Sequence, residues 1–547
     1  MNRPPSRRAV LGGLAAASLA PWQLPARAAA DSGPAPATAP AEAARVTRSP
    51  RRELRGMWIA SVLNINWPSR PGLTPEQQRG EFVSWLDLAR AQRLNAVFVQ
   101  VRPTADAFWP SPYEPWSEYL TGVQGRNPGY DPLAFMVQAA HQHGLALHAW
   151  FNPYRVSTQP DPARLAPEHP LRRHPSWGVV YAGRLYYNPG LPEVRAFVQD
   201  AIMDAVKRYD VDGVHFDDYF YPYPVAGQRF DDDAAFAEHG GHFTDRAAWR
   251  RNNVDLLIHE MARKVYDAKP EVAWGVSPFG IWRNVTTDPR GSSSTGSQSY
   301  DDQHADTRAW VKNGWLDYVA PQIYWNLGLP VADYAALAPW WAQVVHGTGT
   351  QLWVGQAAYK VGAAGQPAAW QDPAELSRHL TFDKDYPDIG GDVYYSAGDV
   401  RADRLGAFTR LREDHYARPA LAPVLSRLAG GPAPARPALT ALRRTEAGVE
   451  LGLAATGHSA PRLYAVYRLD APSASPTAHN PGQDGRADDH DWKHGYGEPA
   501  GHLIAVVPGA RRARYTDPAA PGDAYYRVTA VDPANRQSLP TPWHRAR

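Results

Sequence analysis

Two adjacent carboxyl groups, those of Asp217 and Asp218, interrupt an apolar stretch that reads VDGVHFDDYFYPYP (residues 211–224). Tyrosines and prolines follow at once, so both groups are expected in surroundings from which water is partly excluded. Burial raises the pKa of a carboxyl group unless a hydrogen-bond donor or a cation offsets it, and His215 and Arg102 are the candidate partners. A carboxylate held in this way can stabilise a developing cation, attack an electron-poor carbon or orient a water molecule.

The same two aspartates fit other roles as well. Aspartates often cap turns and helix starts, and paired carboxylates offer the hard oxygen ligands that Ca²⁺ and Mg²⁺ prefer. The chain contains no cysteine, which excludes disulfides, thiolate metal sites and a cysteine nucleophile, and it carries no HExxH zinc signature. We expect neither a metal nor a cofactor at the site, although capping and cation binding stay open as alternatives for the pair.

Short apolar runs alternate with amphipathic helical stretches and must position these residues. The runs are LRGMWIAS, NAVFVQVRP, LALHAWFNP, VDGVHFDDY, VAWGVSPF, LDYVAPQIYW, QLWVGQAAY and GDVYYSAGD. Repeated strand–helix alternation indicates parallel strands covered by helices, because a parallel connection needs a crossover. We therefore predict a (β/α)₈, TIM-type barrel over residues 53–416, in preference to a doubly wound open sheet, since no glycine-rich phosphate loop follows the first run.

Polar residues cluster where these predicted strands end, and the carboxyl ends of barrel strands are where such proteins keep their sites. Ordinary polarity at strand ends is the alternative explanation. Because strand side chains alternate between faces, His215 and Asp217 are predicted to share the barrel mouth, with Asp218 at the rim. The predicted ligand-binding side chains are those of His215, Arg102, Asn152, Tyr154, Trp150, Gln322, Tyr324, Trp325 and Tyr395.

The composition narrows the possible partners. With 57 basic and 55 acidic residues the net charge is only +2, so we expect no binding to nucleic acid, which needs a concentrated basic surface. The 20 tryptophans and 27 tyrosines suit either a large core or a carbohydrate site, where flat rings stack on the apolar faces of sugars.

The N-terminus predicts export. Residues 1–30 hold the twin arginines Arg7 and Arg8, a short apolar run and an Ala-x-Ala site, which together resemble a twin-arginine signal peptide. The apolar run is too short to span a membrane, so we expect no transmembrane segment in the mature chain. Residues 31–52, rich in alanine and proline, are predicted to be a disordered linker, and the protein is expected in the periplasm or outside the cell.

A second module is predicted after the barrel. Residues 417–439 form a linker rich in proline and alanine, and residues 440–547 show short alternating runs typical of a small β-sandwich. The run YYRVTAVD, preceded by YTD, resembles the late strands of a fibronectin type III domain. We expect a spacer or binding module without catalytic residues.

Several motifs together resemble one family. RELRGMWIASVLNINWPS, VQVRPTADAFWPS, HAWFNPYR, YYNPG, DGVHFDDYFYPYP, WGVSPFGIWRN and LDYVAPQIYW occur in the order of the glycosyl-hydrolase-like family 10 domain. That group includes envelope proteins of bacteria that cleave peptidoglycan glycan strands stripped of their peptides. The resemblance implies a (β/α)₈ glycosidase acting on such strands. Some relatives are lipoproteins, which this cysteine-free chain cannot be.

A glycosidase needs two carboxyl groups or the help of its substrate. Asp217 is the predicted first carboxylate, and Asp218 and Asp301 are the candidates for the second. A third route uses the N-acetyl group of the substrate as the nucleophile, which adjacent aspartates would orient. Two other hypotheses stay open at this stage: a cell-wall glycan-binding protein without catalysis, and a hydrolase of another extracellular polysaccharide.

Overall fold

The computed structural model describes residues 52–470 and 502–546. Before the C-terminal module the strands are Leu54–Ile59 (β1), Ala96–Arg102 (β2), Ala146–Phe151 (β3), Arg155–Ser157 (β4), Gly178–Tyr181 (β5), Arg184–Tyr187 (β6), Gly213–Phe216 (β7), Ala273–Val276 (β8), Tyr318–Val319 (β9), Gln351–Gln356 (β10) and Ile389–Tyr394 (β11). Strands β1–β3 and β7–β11 close into a parallel barrel in the order β1-β2-β3-β7-β8-β9-β10-β11. The predicted eight-stranded TIM-type barrel is confirmed.

Helices surround the barrel. They are Pro75–Ala91 (α1), Glu118–Thr121 (α2), Pro132–Gln142 (α3), Pro170–Arg173 (α4), Pro192–Arg208 (α5), Asp233–His239 (α6), Arg246–Ala268 (α7), Ser299–Asp302 (α8), Thr307–Lys312 (α9), Tyr334–Val345 (α10), Glu375–Asp383 (α11), Ala397–Ala402 (α12) and Ala407–Asp414 (α13). Helix α1 shows how the sequence sets a boundary: Thr74 and Gln77 form a reciprocal capping box, and Pro75 occupies the first turn. Its apolar side chains Phe82 and Leu86 are buried in the layer between helices and strands.

Large rings fill the inside of the barrel. Phe98, Tyr318 and Trp353 belong to one buried cluster there, and Tyr318 stacks on Trp353 with ring centroids 3.9 Å apart. Neighbouring strands supply glycine where these rings need room: a Cβ on Gly275 would lie 2.4 Å from the Tyr318 ring. The interior is therefore a packed core, and a ligand can approach only at an end of the barrel.

A small antiparallel sheet extends the loop after β3. Its strands β4, β5 and β6 pair in the order β4-β6-β5. Arg155, the first residue of β4, is buried. The inserted sheet thus fixes an arginine close to the carboxyl end of the barrel.

Residues 417–437 are not a free linker. Leu421 accepts a hydrogen bond from the backbone of Glu53, and Arg52 donates to the carbonyl of Ala422. Leu425 joins the cluster of side chains inside the barrel. The apolar residues between the prolines explain the difference from the prediction, because they bury against the amino end of the barrel.

The C-terminal module is a two-sheet β-structure. Its strands are Ala438–Thr445 (β12), Gly448–Ala454 (β13), Leu463–Asp470 (β14), His502–Pro508 (β15), Arg512–Asp517 (β16), Ala524–Val531 (β17) and His544–Arg545 (β18). They form one sheet ordered β12-β13-β16 and another ordered β15-β14-β17-β18. Side chains alternate between buried and less buried along β13 and β15, as expected for sheets with one apolar face. The fibronectin type III assignment stays a prediction.

The module packs against the amino end of the barrel. Arg462 lies 3.0 Å from Asp210 and 3.4 Å from Asp212, both of which precede β7. A cavity of about 470 Å³ remains between the two parts, with Leu54, His148 and Val506 among its lining residues. The described part of the module therefore lies at the end of the barrel opposite to the carboxyl ends of its strands.

The predicted signal peptide and nearly all of the predicted linker at residues 31–52 lie outside the described residues, as do residues 471–501 of the predicted C-terminal module. Within the described ranges, no helix combines the length and the apolar character needed to cross a membrane.

Candidate active site

Asp217 and Asp218 lie together in the mouth of the barrel. Their exposed fractions are only 6% and 7%. Alternation along the strand predicted that they would face differently, but β7 ends at Phe216, so the rule no longer applies to the residues after it. Asp217 contacts the residue that follows β3, Asn152, and Asp218 contacts Gln322, which follows β9. The two carboxylates therefore meet at the centre of the site rather than one lying at its rim.

Two donors hold Asp217. The Asn152 side-chain amide donates to Oδ2 at 2.6 Å, and the backbone N–H of Tyr219 donates to Oδ1 at 3.0 Å. Both oxygens thus accept a hydrogen bond, which favours the ionised form of the carboxyl group.

The orientation of the Asn152 amide is fixed by its neighbour Gln100. The backbone N–H groups of Ser61 and Val62 both donate to Gln100 Oε1 at 2.9 Å, so the other end of that amide must be the nitrogen. This nitrogen donates to Asn152 Oδ1 at 2.6 Å, which leaves the Asn152 nitrogen to face Asp217. Gln100 is therefore a positioning residue of the site that was not among the predicted ligand-binding residues.

Asp218 is held by a different set of groups. Gln322 Nε2 donates to Oδ1 at 3.0 Å and also to the Ser277 carbonyl at 3.0 Å, which fixes its orientation. The Tyr223 hydroxyl donates to Oδ2. A hydroxyl group can both donate and accept, so this second oxygen of Asp218 is able to carry a proton.

Burial and mutual repulsion perturb the pKa of both carboxyl groups. Burial raises the pKa of Asp217 to about 6, and the charge of Asp218 adds to the effect, while Arg155, Tyr219 and Asn152 oppose it. Burial also raises the pKa of Asp218, against the donors Tyr223 and Gln322. Two interacting carboxyl groups titrate as a pair, so the pair holds a proton in mildly acidic solution. Such a pair suits general acid catalysis.

His215 lies beneath the aspartates and has no solvent exposure. Trp58 Nε1 donates to its Nε2 at 3.1 Å, so the ring proton lies on Nδ1, which is 3.0 Å from the Tyr318 hydroxyl. Burial holds the pKa of His215 well below its usual value, and the ring is neutral. Contrary to the prediction, His215 is a buried support for the site, because both ring nitrogens are already used.

Trp150 forms part of the same floor. Its ring meets the His215 ring edge-on with centroids 6.4 Å apart, and its indole N–H is buried with no protein partner within the described residues. The floor of the site therefore presents one unused donor. Its role in ligand binding stays a prediction.

Arg102 and Tyr154 do not reach the cleft. The Arg102 guanidinium pairs with the buried carboxylate of Glu114, with Nε 2.6 Å from Oε2, and also donates to the carbonyls of Asn152 and Pro153. The donors of Arg102 are thus used within the protein, and this residue cannot bind a ligand as predicted. Tyr154 is fully buried. It comes after the end of β3, and the charges that act on it, Arg195 and Glu260, belong to the helix layer outside the barrel.

Tyrosine and tryptophan rings form a wall beside the aspartates. Tyr324 and Tyr395 face each other with centroids 6.2 Å apart, and both are half-buried. Burial raises the pKa of each, and the charges of both aspartates contribute, which places these rings close to the pair. Trp325, also half-buried, packs edge-on against Phe279 at 5.5 Å. The structure thus brings Tyr324 and Tyr395 to the site with Asn152 and Gln322.

Asp301 belongs to another group of charges. Its carboxylate pairs with both Nε and Nη2 of Arg283 at 2.9 and 3.1 Å, and Arg283 also contacts Asp288. The ion pair of Asp301 with Arg283 therefore stabilises the loop after β8. The structure does not bring it into contact with Asp217 or Asp218.

Sequence reasoning missed Glu114 and Tyr223 as members of the site. Glu114 lies in the loop after β2 between Tyr113 and Pro115, which is a weak signal for a buried ion pair. Tyr223 belongs to the tyrosine-rich run that follows the aspartates, so its position in the sequence was the available clue. No group of three or more metal-binding side chains occurs in residues 52–470 or 502–546.

A closed parallel barrel that holds paired carboxyl groups between aromatic rings at its carboxyl end is an architecture of glycoside hydrolases. Comparison with known proteins assigns this chain to that class. It belongs to the family described as Glycosyl hydrolase-like 10, whose model matches residues 53–372. The resemblance seen in the sequence is confirmed, and the hypothesis of a glycan-binding protein without catalysis is set aside.

Relatives agree with this assignment. Glycosyl hydrolase YngK of Bacillus subtilis is 47% identical over 400 residues, which cover 73% of this chain and 78% of that protein. Glycosyl hydrolase DigH of Escherichia coli K12 is 40% identical over 369 residues, which cover 64% of this chain and 84% of that protein. Among solved structures, the PgaB (BpsB) glycoside hydrolase domain from Bordetella bronchiseptica aligns with 67% of this chain and 99% of that chain, with a TM-score of 0.42 and 14% identity.

Proposed function

We propose that this protein is an exported hydrolase that cleaves the glycan strands of bacterial peptidoglycan, acting on strands from which the peptides have been removed. The observation that carries the proposal is the pair Asp217 and Asp218, buried together at the carboxyl end of the barrel. The family motifs support the substrate, and the twin-arginine N-terminus supports export to the periplasm or beyond, where peptidoglycan lies.

The arrangement of the pair favours a mechanism that uses the N-acetyl group of the substrate. A retaining glycosidase with its own nucleophile places two carboxyl groups on opposite sides of the bond, whereas adjacent residues present theirs from one side. The acetamido oxygen of the sugar is then the nucleophile that lies closest to C1.

We assign the two roles from the hydrogen bonds. Asp218, whose Oδ2 accepts a hydrogen bond from the Tyr223 hydroxyl, donates its proton to the glycosidic oxygen as the bond to C1 breaks. The acetamido oxygen closes on C1 to form an oxazolinium ion, and ionised Asp217 accepts the acetamido N–H. Water then attacks C1, gives its proton back to Asp218 and reopens the ring, which yields a reducing sugar with retained configuration.

Digestion of purified sacculi tests the proposal. Mature protein is incubated with sacculi stripped of peptides by an amidase, with untreated sacculi, and with chitin and a β-glucan. We expect soluble fragments with new reducing ends from the stripped sacculi, detected by mass spectrometry. Release from the β-glucan alone would contradict the proposed substrate, and anhydro-sugar ends would contradict hydrolysis.

Two aspartate variants and one control test the assignment of roles. Asp217→Asn and Asp218→Asn should both lose cleavage, and Asp301→Asn should retain it because that carboxylate serves an ion pair with Arg283. The acetamido mechanism further predicts that aryl β-N-acetylglucosaminides react and the matching glucosides do not. Equal reaction of both would contradict participation of the acetamido group.

A further inference from the structure

Arg155 is a buried cation with an unused edge. Only 5% of the residue is exposed, and its Nε donates to the Pro103 carbonyl at 2.9 Å. Its Nη2 is buried, and within the described residues it has no hydrogen-bond partner. A buried charge without a counter-ion is costly, so a guanidinium held in this state is expected to meet a ligand.

The neighbouring Arg102 provides the contrast. It is equally buried, but its guanidinium pairs with Glu114 and donates to two backbone carbonyls. Arg102 is the last residue of β2 and Arg155 the first residue of β4, and both are buried, so burial alone does not leave a guanidinium unpaired. The difference is that, within the described residues, no carboxylate forms an ion pair with Arg155.

Arg155 faces the same space as the aspartate pair. Its guanidinium lies 5.2 Å from the centre of the Tyr219 ring, the residue after Asp218. Its charge opposes the rise in pKa that burial causes in Asp217, Asp218 and Tyr395. Yet neither aspartate lies within ion-pairing distance of it among the contacts of the described residues, so the buried Nη2 is left without a partner there.

A guanidinium edge matches a planar carboxylate, which it binds with two parallel hydrogen bonds. In a peptidoglycan strand the muramic acid unit bears a lactyl group. Its carboxylate is free only after the peptide has been removed, because in the intact polymer it is tied up as a neutral amide. We propose that Arg155 is a specificity-determining residue that binds this free carboxylate and so selects strands stripped of peptides. This inference rests on the proposed function and explains how the site would recognise that substrate.

The test compares two substrates that differ only at this group. Amidase-treated glycan strands carry the free lactyl carboxylate, and the same strands treated with carbodiimide and ammonia carry a primary amide. Mature protein should cleave the carboxylate form with a kcat/KM about 10- to 100-fold higher, as expected for one charge-assisted contact. In Arg155→Gln that ratio should fall to about one, and Arg155→Lys should keep part of it because lysine retains the charge without the planar edge.

The ratio of the two substrates within one variant cancels any effect of Arg155 on the aspartate pair. Arg164→Gln, an exposed arginine of the same loop, is the matched control and should keep the wild-type ratio. Two outcomes would contradict the inference about Arg155 without contradicting the proposed function. They are cleavage of both substrates at equal rates by the wild type, and a wild-type ratio in Arg155→Gln. If the wild type cleaved neither substrate but cleaved another polysaccharide, this result would contradict both the proposed function and the inference that rests on it.

Discussion

Asp212 lies just before strand β7 and Asp217 just after it. The pKa values of these two carboxyl groups are shifted in opposite directions. At the amino end Asp212 is 2.8 Å from His141 Nε2, 2.8 Å from the Leu147 N–H and 3.4 Å from Arg462. Burial by itself would raise its pKa, but Arg462 and His141 outweigh that effect and hold the pKa below its usual value. At the carboxyl end burial raises the pKa of Asp217 to about 6.

The difference separates structural charges from reactive ones. Asp212 joins the barrel to the C-terminal module, because it forms an ion pair with Arg462 of the module and contacts His141 of the barrel. Among the described residues, Asp217 and Asp218 have only neutral donors within hydrogen-bond distance, and this leaves the pair able to gain and lose a proton. Reactive groups at the carboxyl end of the barrel and stabilising contacts at its amino end fit the general rule for this fold.

The largest effect on stability is expected at the buried ion pair between Arg102 and Glu114, outside the cleft. Glu114→Gln leaves the buried Arg102 guanidinium without its counter-ion and should lower the free energy of unfolding by about 3 kcal/mol. Urea denaturation measures the change, and the exposed acid in Glu168→Gln serves as the control. A loss below about 0.5 kcal/mol would show that this pair does not stabilise the loop after β2.

At the amino end Asp212→Asn should cost about 2 kcal/mol, because Arg462 and His141 lose a largely buried partner. Asp210 contacts the same arginine but is 67% exposed, so Asp210→Asn should change stability by less than about 0.5 kcal/mol. The comparison is made by urea denaturation of both variants. Equal losses would mean that burial does not set the strength of these ion pairs.

At the carboxyl end, replacing the aspartate by asparagine is expected to raise the stability of the fold instead of lowering it. The pKa of Asp217 is about 6 in the folded protein against 3.8 as a reference, so its ionisation destabilises the fold progressively as the pH rises between these values. Asp217→Asn should therefore be about 1–2 kcal/mol more stable than the wild type at pH 7.5, and the gain should vanish near pH 4. Thermal unfolding at the two pH values checks this. A variant less stable than the wild type at pH 7.5 would argue against an unpaired, buried carboxylate.

The smallest expected effect is a shift of the pH–activity profile when Asn152, which donates a hydrogen bond to Asp217, is replaced. The Asn152 amide lowers the pKa of this carboxyl group, so Asn152→Ala should raise that pKa and move the acidic limb of the pH–activity profile to higher pH by less than about one unit. Asn313→Ala, an exposed asparagine after α9, should leave the profile in place. A shift to lower pH would contradict the assigned direction of this hydrogen bond.

Much of the fold could be predicted because its signals are local. Eight apolar runs separated by helical stretches define the barrel, and Thr74 and Pro75 set the start of α1 within the sequence itself. The position of the site could be predicted as well, since parallel strands bring their carboxyl ends together. Asp217, Asp218, Asn152 and Gln322 meet there for that reason.

The rest depends on contacts between distant loops, which the sequence does not reveal. Nothing near Arg102 indicates that Glu114 folds back onto it, so its role as a ligand contact was a reasonable but incorrect expectation. Tyr154 follows the end of β3, where the alternation of faces no longer holds. The path of the loop that carries Asp301 could not be predicted either, because Arg283 sets its conformation.

The most direct test compares Asp217→Asn with Asp212→Asn, the same substitution at the two ends of strand β7. The measurement is kcat/KM on peptide-free glycan strands, expressed per folded molecule. The account predicts a loss of about a thousandfold or more for Asp217→Asn and a change of less than about threefold for Asp212→Asn. Retained activity in Asp217→Asn, or an equal loss in both variants, would contradict it.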